Sequence, residues 1–323
     1  LIRFLYSRGF DDDLLLRLFE EYAQKDVLLP EEEGFADIAL RKNLSLLHAT
    51  FLFLRGEKAQ ALALLRRHVK AHGPDSVHSF LPAALLAHEH GITNDLIEEA
   101  AFVYEHMLAA REQKAFENFI RGKSIAVVGN GPQETGSGNG GRIDGHDIVL
   151  RINSAAVGQA YASDYGRKTN VWCRNIMKPY TFDLFPEVPF LLLTNNCERF
   201  RFPKGLTQNL VKTIRRDKRV LVAPARSAIL DIYRPFDFAW FSTGFQVAAF
   251  LHSLRESCCI SFGREDIFGM SFTREGKEEP FALDHLYYYE ADRMIAGAYA
   301  DHSLPRERDA CARLFGMERT PET

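Results

Sequence analysis

The sequence predicts an α/β protein, a mostly parallel sheet with helices between its strands, preceded by an all-helical region. Three observations carry this. From Leu44 to Ile120 apolar residues recur at three- and four-residue spacing, as helix faces do. At Lys123 the texture changes to short apolar runs ending in glycine or polar residues, the pattern of buried parallel strands. Those runs then alternate with amphipathic stretches, which is α/β order.

In the helical region Leu47, Phe51 and Leu54, then Leu62, Leu65 and Val69, mark apolar stripes. Breaks fall at Gly56, at Gly73-Pro74 and at Gly91. Asp95 with Glu98 reads as a capping pair opening the helix that carries Ile97, Phe102, Met107 and Leu108. Short helices joined by short turns imply antiparallel hairpins of a tetratricopeptide-like kind, without a clean 34-residue period. The strands are expected at 124–130, 147–153, 170–173, 190–194, 220–223 and 258–262, with a helix over 244–255. These readings divide the chain into a helical domain, 1–120, and an α/β domain, 121–323.

Composition excludes several function classes. The 323 residues are 46% hydrophobic and 26% charged, enough for packed cores and unlike a disordered or collagenous chain. A net charge of −3 gives no reason to expect nucleic acid. The five cysteines include no C-x-x-C pair, so neither a zinc site nor a complete disulfide set is implied, and a reducing, cytoplasmic setting fits. No apolar run reaches the roughly 18 residues that span a bilayer, and no signal peptide is expected at the start. Asp11, Asp12 and Asp13 read as a solvated helix start. Eight basic residues between Glu198 and Arg219 form a basic face, solvated or turned toward an acidic glycan or anionic lipid surface.

The segment Gly129-Asn-Gly-Pro-Gln-Glu-Thr-Gly-Ser-Gly-Asn-Gly-Gly, 129–141, follows a strand, a usual place for nucleotide binding. As a dinucleotide fingerprint it begins with Gly129 and Gly131 but has Glu134 where the third glycine belongs. A flexible loop without a ligand is the other reading from residue types alone.

A longer pattern gives a third reading. Ala126-Val-Val-Gly-Asn130, the glycine stretch, Ile143-Asp-Gly-His-Asp-Ile-Val-Leu-Arg-Ile-Asn153 and Asp164-Tyr-Gly-Arg-Lys-Thr169 together resemble the large sialylmotif of the eukaryotic-type sialyltransferases, glycosyltransferase family 29. Phe241-Ser-Thr-Gly-Phe-Gln opening a helix, with Ser261-Phe262-Gly263 beyond, resembles the small sialylmotif. Tyr288-Tyr289-Glu290 resembles motif III, and His302 with Glu307 the family's H-x4-E. The resemblance implies a GT-A-like (Rossmann-like) transferase domain using a CMP-activated sugar. It assigns Gly129, Asn130 and Asn153 to the CMP moiety, Ser242, Thr243 and Gly244 to the donor phosphate, and His302 to the acceptor hydroxyl as base. His285 or Tyr287 would contact the leaving phosphate. Asparagine suits this because its amide both donates and accepts, although asparagine at a strand end also caps turns. Imidazole suits its part because its ordinary pKa of about 6.5 leaves a neutral base near pH 7.

The family's cysteine pair is missing, with Ser124 and Leu254 at the aligned positions, which fits a cytoplasmic, bacterial relative peripheral at the inner membrane. The expected donor is CMP-sialic acid or CMP-Kdo, and the expected acceptor a capsule or lipopolysaccharide glycan. No metal and no separate cofactor are expected, since no Asp-x-Asp stands near the loop and CMP brings a single phosphate. The helical domain is open to a protein partner, a polysaccharide or nothing, and the sequence does not choose among them. Two other classes stay open: an inactive sialyltransferase-like binding module, and a nicotinamide-dependent Rossmann enzyme.

Overall fold

In a computed structural model of the chain, the residues described are 2, 13–26, 35–107, 110–131, 134–153, 158–175, 187–194, 201–216, 219–222, 243–270, 314 and 315. They fall into two compact units. One comprises residues 1–109 and 196–216, the other residues 110–195 and 217–323.

The first unit is helical: α1 (Asp13–Asp26), α2 (Phe35–Leu54), α3 (Lys58–His72), α4 (Leu81–Glu89), α5 (Asp95–Met107) and, later in the chain, α9 (Lys204–Arg215). The expected breaks are all real, with Gly56, Gly73 and Gly91 at positive φ. After α4 the Ile92 N–H returns to the Ala87 carbonyl, closing the turn of a helix hairpin with α5. The cap of α5 is Asn94, whose Oδ1 accepts the Ile97 N–H at 2.9 Å, so the Asp95–Glu98 pair expected there begins the helix one residue late. On α3 the buried face is Ala61, Leu65 and His68, rotated from the expected Leu62–Leu65–Val69 stripe. A histidine is admitted there because both its ring nitrogens are satisfied, by Ser45 Oγ at 2.7 Å and Ser76 Oγ at 3.0 Å. The basic helix α9 turns Leu210, Val211 and Ile214 inward, packs against α5, and leaves Lys204, Lys212 and Arg215 exposed.

The second unit is built on a six-stranded sheet. Its strands are β1 (Ile125–Val128), β2 (Ile148–Ile152), β3 (Val171–Asn175), β4 (Phe190–Thr194), β5 (Arg219–Val222) and β6 (Ile267–Phe268), in the order β5-β4-β3-β2-β1-β6 with every pairing parallel. Residues of β1 and β4 are buried on both faces, which explains their unbroken apolar sequences. One face packs against α6 (Ala110–Ile120) and α10 (Thr243–Ser253), where Phe116 lies between Phe250, stacked at 5.8 Å, and Phe190, edge-on at 5.4 Å. The other face is covered by α7 (Gly140–Asp144) and α8 (Ala162–Tyr165) through Ile143 and Tyr165.

One expected strand is corrected. Cys258–Phe262 is not in the sheet: α11 (Arg255–Cys258) ends there, Cys259 turns at φ 52, and only Ser261 makes an isolated bridge, to Ser124. Its apolar residues Cys258, Ile260 and Phe262 are buried in the core, which is why the run looks strand-like. The place beside β1 belongs to β6, with Val127 opposite Ile267 and Val128 opposite Phe268.

Candidate functional site

From β1 the chain runs outward through β2 and β3 to β5, whereas β6 returns on the other side of β1. That reversal is a topological switch point, and in open parallel sheets the crevice beyond the strand carboxyl ends at such a point is where ligands bind. The segments beyond β1 and β6 approach so closely that only glycine fits. Gly131 N–H donates to the Gly269 carbonyl at 2.6 Å, and Gly129 N–H to the Phe268 carbonyl at 2.8 Å. A Cβ added to Gly129 would sit 2.3 Å from the Gly269 oxygen.

The glycine-rich loop is tied down along its length. Asp164 accepts the N–H groups of Gly136 at 2.9 Å and Gly138 at 3.0 Å, and those bonds, Gly136 first, hold its carboxyl below the usual range. Tyr165 Oη donates to the Gly131 carbonyl at 2.8 Å. Glu134, buried, accepts from Gly269 N–H, Ser137 Oγ and Asn139 Nδ2.

The remainder of Asp164–Thr169 is equally structural. Asp144 accepts the backbone N–H of both Arg167 and Lys168, and Lys168 Nζ donates to the His146 carbonyl. Arg151, wholly buried on β2, donates through Nε to the Lys168 carbonyl and Thr169 Oγ1, and through Nη2 to the Tyr165 carbonyl. Burial pushes its pKa down to about 10, partly opposed by Asp144.

Asn130 and Asn153 both lie just beyond neighbouring strands, since Val128 pairs with Arg151. Their situations differ. Asn153 adopts φ 53, its Oδ1 accepts the Asn175 N–H at 3.1 Å, and its carbonyl accepts Trp172 Nε1 at 2.7 Å. Its side-chain oxygen therefore does the turn-shaping work open to any asparagine at a strand end. Asn130 is 6% exposed and donates from Nδ2 to the Ile152 carbonyl at 2.9 Å, while its Oδ1 has no hydrogen-bond partner among the described residues. A buried acceptor left unmet costs about 1–3 kcal/mol, so it calls for an incoming donor.

The start of α10 completes the crevice. Thr243 and Gly244 are buried, and the first amides of the helix lack carbonyl partners within it, which favours an anion. Met270 joins the two parts: its side chain lies against Gly129 and also against Gly244, where an added Cβ would meet the sulfur at 2.6 Å. Gly129, Asn130, Thr243 and Gly244 are thus gathered around the end of β6. Ser242, His285, Tyr287, His302 and Glu307 lie outside the described residues.

Sequence reasoning missed Glu134, Gly269 and Met270. The available signal was the short Ile267-Phe268-Gly269 run, too brief to stand out. Among the described residues no cluster of histidine, cysteine, aspartate or glutamate could hold a metal ion, and no helix is long and apolar enough to cross a membrane.

The sequence profile of Glycosyltransferase family 29 (sialyltransferase) matches residues 86–185, which include β1, the glycine loop, β2 and β3. Sialyltransferase-like protein 2 of Oryza sativa subsp. indica is 47% identical over 51 residues, 16% of this chain and 13% of that protein's length. Two crystal structures of a mammalian sialyltransferase also align. One, in complex with Gal-beta-1-3GalNAc-ortho-nitrophenol, has a TM-score of 0.43 at 16% identity over 72% of this chain and 81% of that one. The other has a TM-score of 0.45 at 15% identity over 73% and 82%.

Proposed function

We propose that this chain is an inverting glycosyltransferase that moves an ulosonic acid, sialic acid or Kdo, from its CMP ester to a hydroxyl of a glycan. The observation that supports it most is the convergence of two segments far apart in sequence. Gly129-Asn130 and Thr243-Gly244, each from a stretch that resembles a sialylmotif, meet around Met270 at the switch point of the sheet. Cytidine offers an exocyclic amine and ribose hydroxyls, any of which can donate to the buried Asn130 Oδ1. The α10 amides suit the phosphate, whose charge they stabilise as it leaves.

In this reading His302 takes the acceptor proton, and His285 or Tyr287 donates a hydrogen bond to the departing phosphate. The transfer needs no divalent ion, so chelator leaves the rate unchanged. Glu134 in place of the third glycine disfavours a nicotinamide cofactor. The cytoplasmic, bacterial setting, with a capsule or lipopolysaccharide acceptor, rests on the absent cysteine pair. Ser124 instead hydrogen-bonds Asp147, and Leu254 lies in the core.

The test is CMP release from CMP-sialic acid and from CMP-Kdo, each offered with polysaccharide fragments. Release from one donor, lost in His302→Ala and reduced in Asn130→Ala, is expected. No release from either donor, or full activity in His302→Ala, would refute the assignment.

A further inference from the structure

Glu134 stands where a dinucleotide fingerprint would carry its third glycine, and it has a definite occupation. It is 8% exposed, and its two oxygens are met by three neutral donors. Oε1 accepts the Gly269 N–H at 3.0 Å, and Oε2 accepts Ser137 Oγ at 3.0 Å and Asn139 Nδ2 at 2.9 Å. A carboxylate so committed is ill placed to bind a ligand or move a proton. Its effect is mechanical: it joins the glycine-rich loop to the turn after β6.

That turn is the part of the crevice on which everything else leans. Gly269 adopts φ 59, and an added Cβ there would lie 2.7 Å from the Gly129 carbonyl oxygen and 3.5 Å from Glu134 Cγ. The next residue is Met270, whose side chain rests on Gly129 of the strand end and Gly244 of the helix start. Where Gly269 is held therefore decides where Met270 enters, and Met270 decides how far apart those two segments stand. Three uncharged donors around one buried carboxylate make this tether directional and stiffer than packing alone.

The geometry points to Glu134 as a positioning residue for the sugar nucleotide: by holding Gly269 it sets the separation between the Gly129-Asn130 wall and the Thr243-Gly244 wall of the crevice. This rests on the proposed CMP-sugar reading. Pre-organised walls bind without reordering on contact, so losing the tether weakens donor binding more than it slows the chemical step.

The experiment compares wild type, Glu134→Ala, Glu134→Gln and Glu134→Asp by CMP calorimetry and by donor KM and kcat. Glutamine keeps a carbonyl oxygen for the Gly269 N–H, and its amino group can donate to Ser137 Oγ and, once the Asn139 amide turns over, to Asn139 Oδ1, whereas aspartate is one methylene too short to reach both Gly269 and Asn139. Expected are a CMP Kd and donor KM raised tenfold or more in Glu134→Ala and Glu134→Asp, kcat within threefold, and rescue to within threefold of wild type in Glu134→Gln. If Glu134→Ala does not fold, the glutamine and aspartate variants carry the comparison. Equal CMP affinity in all folded variants, or a glutamine variant as weak as the aspartate one, overturns the positioning role alone. A wild type that binds no CMP overturns the donor reading and this role with it.

Discussion

Gly129→Ala tests the close approach on which the site depends. The new methyl would stand 2.3 Å from the Gly269 oxygen and 2.8 Å from Met270 Cγ, where ordinary van der Waals contact begins at 3.4 Å. The methionine can swing away. The carbonyl cannot, because it accepts the Gly131 N–H at 2.6 Å and belongs to a turn held by Glu134. Separating the segments by about 1 Å strains two backbone hydrogen bonds at about 1 kcal/mol each, with overpacking of about 1–3 kcal/mol besides. The loss is about 3–5 kcal/mol, a Tm lower by about 10 °C for a unit of this size. Thermal and urea unfolding measure this, with CMP affinity measured on whatever remains folded. Gly136→Ala is the control, since an added Cβ there meets nothing and the only penalty is its φ of 78, about 1–2 kcal/mol. If Gly129→Ala melts within 2 °C of wild type and binds CMP equally, the close approach of β1 and β6 is refuted.

Phe116→Ala removes the ring between Phe250 and Phe190 and should cost about 3–5 kcal/mol in urea unfolding, with no direct effect on CMP binding by the surviving fold. Asp164→Ala frees the Gly136 and Gly138 amides; donor KM should rise while kcat changes little, and a KM equal to wild type would show that the loop holds its shape without it. The helical unit should lose stability in acid through His48, which is stacked on Phe19 at 4.7 Å and pushed down by burial to about 4 from 6.5. Because the folded pKa is the lower one, the unfolded chain takes the proton first. Stability is full above about pH 6.5, falls until about pH 4 and then levels, by about 2 kcal/mol after allowance for partial exposure. Urea midpoints of wild type and His48→Phe across that range check the slope, which the variant should largely lack.

How much of this was legible beforehand differs from element to element. β1 and β4 could be read from their runs because a parallel strand covered on both faces is apolar almost throughout, a demand met locally. The helix breaks could be read for the same kind of reason: Gly56, Gly73 and Gly91 sit at positive φ, which glycine adopts at little cost. The sixth strand could not. Cys258–Phe262 and Ile267–Phe268 are both short apolar segments, and composition does not say which one finds the free edge of β1. Likewise Asp95 and Asn94 are both acceptable caps, and the backbone geometry chooses the asparagine.

By itself, then, the sequence determined an α/β order, the places where helices stop, and a glycine-rich strand end whose pattern resembles a sialylmotif. Each of these depends on residues within a few positions of one another, whose spacing records which face is covered. The tertiary structure alone decided that Met270 joins the strand end to the helix start, that Glu134 secures the turn beside it, that Asp164 fastens the loop, and that Asn130 rather than Asn153 keeps an oxygen in reserve. Those are contacts between distant segments, set by which strand lies next to β1 and how closely it approaches, and no local period carries that information.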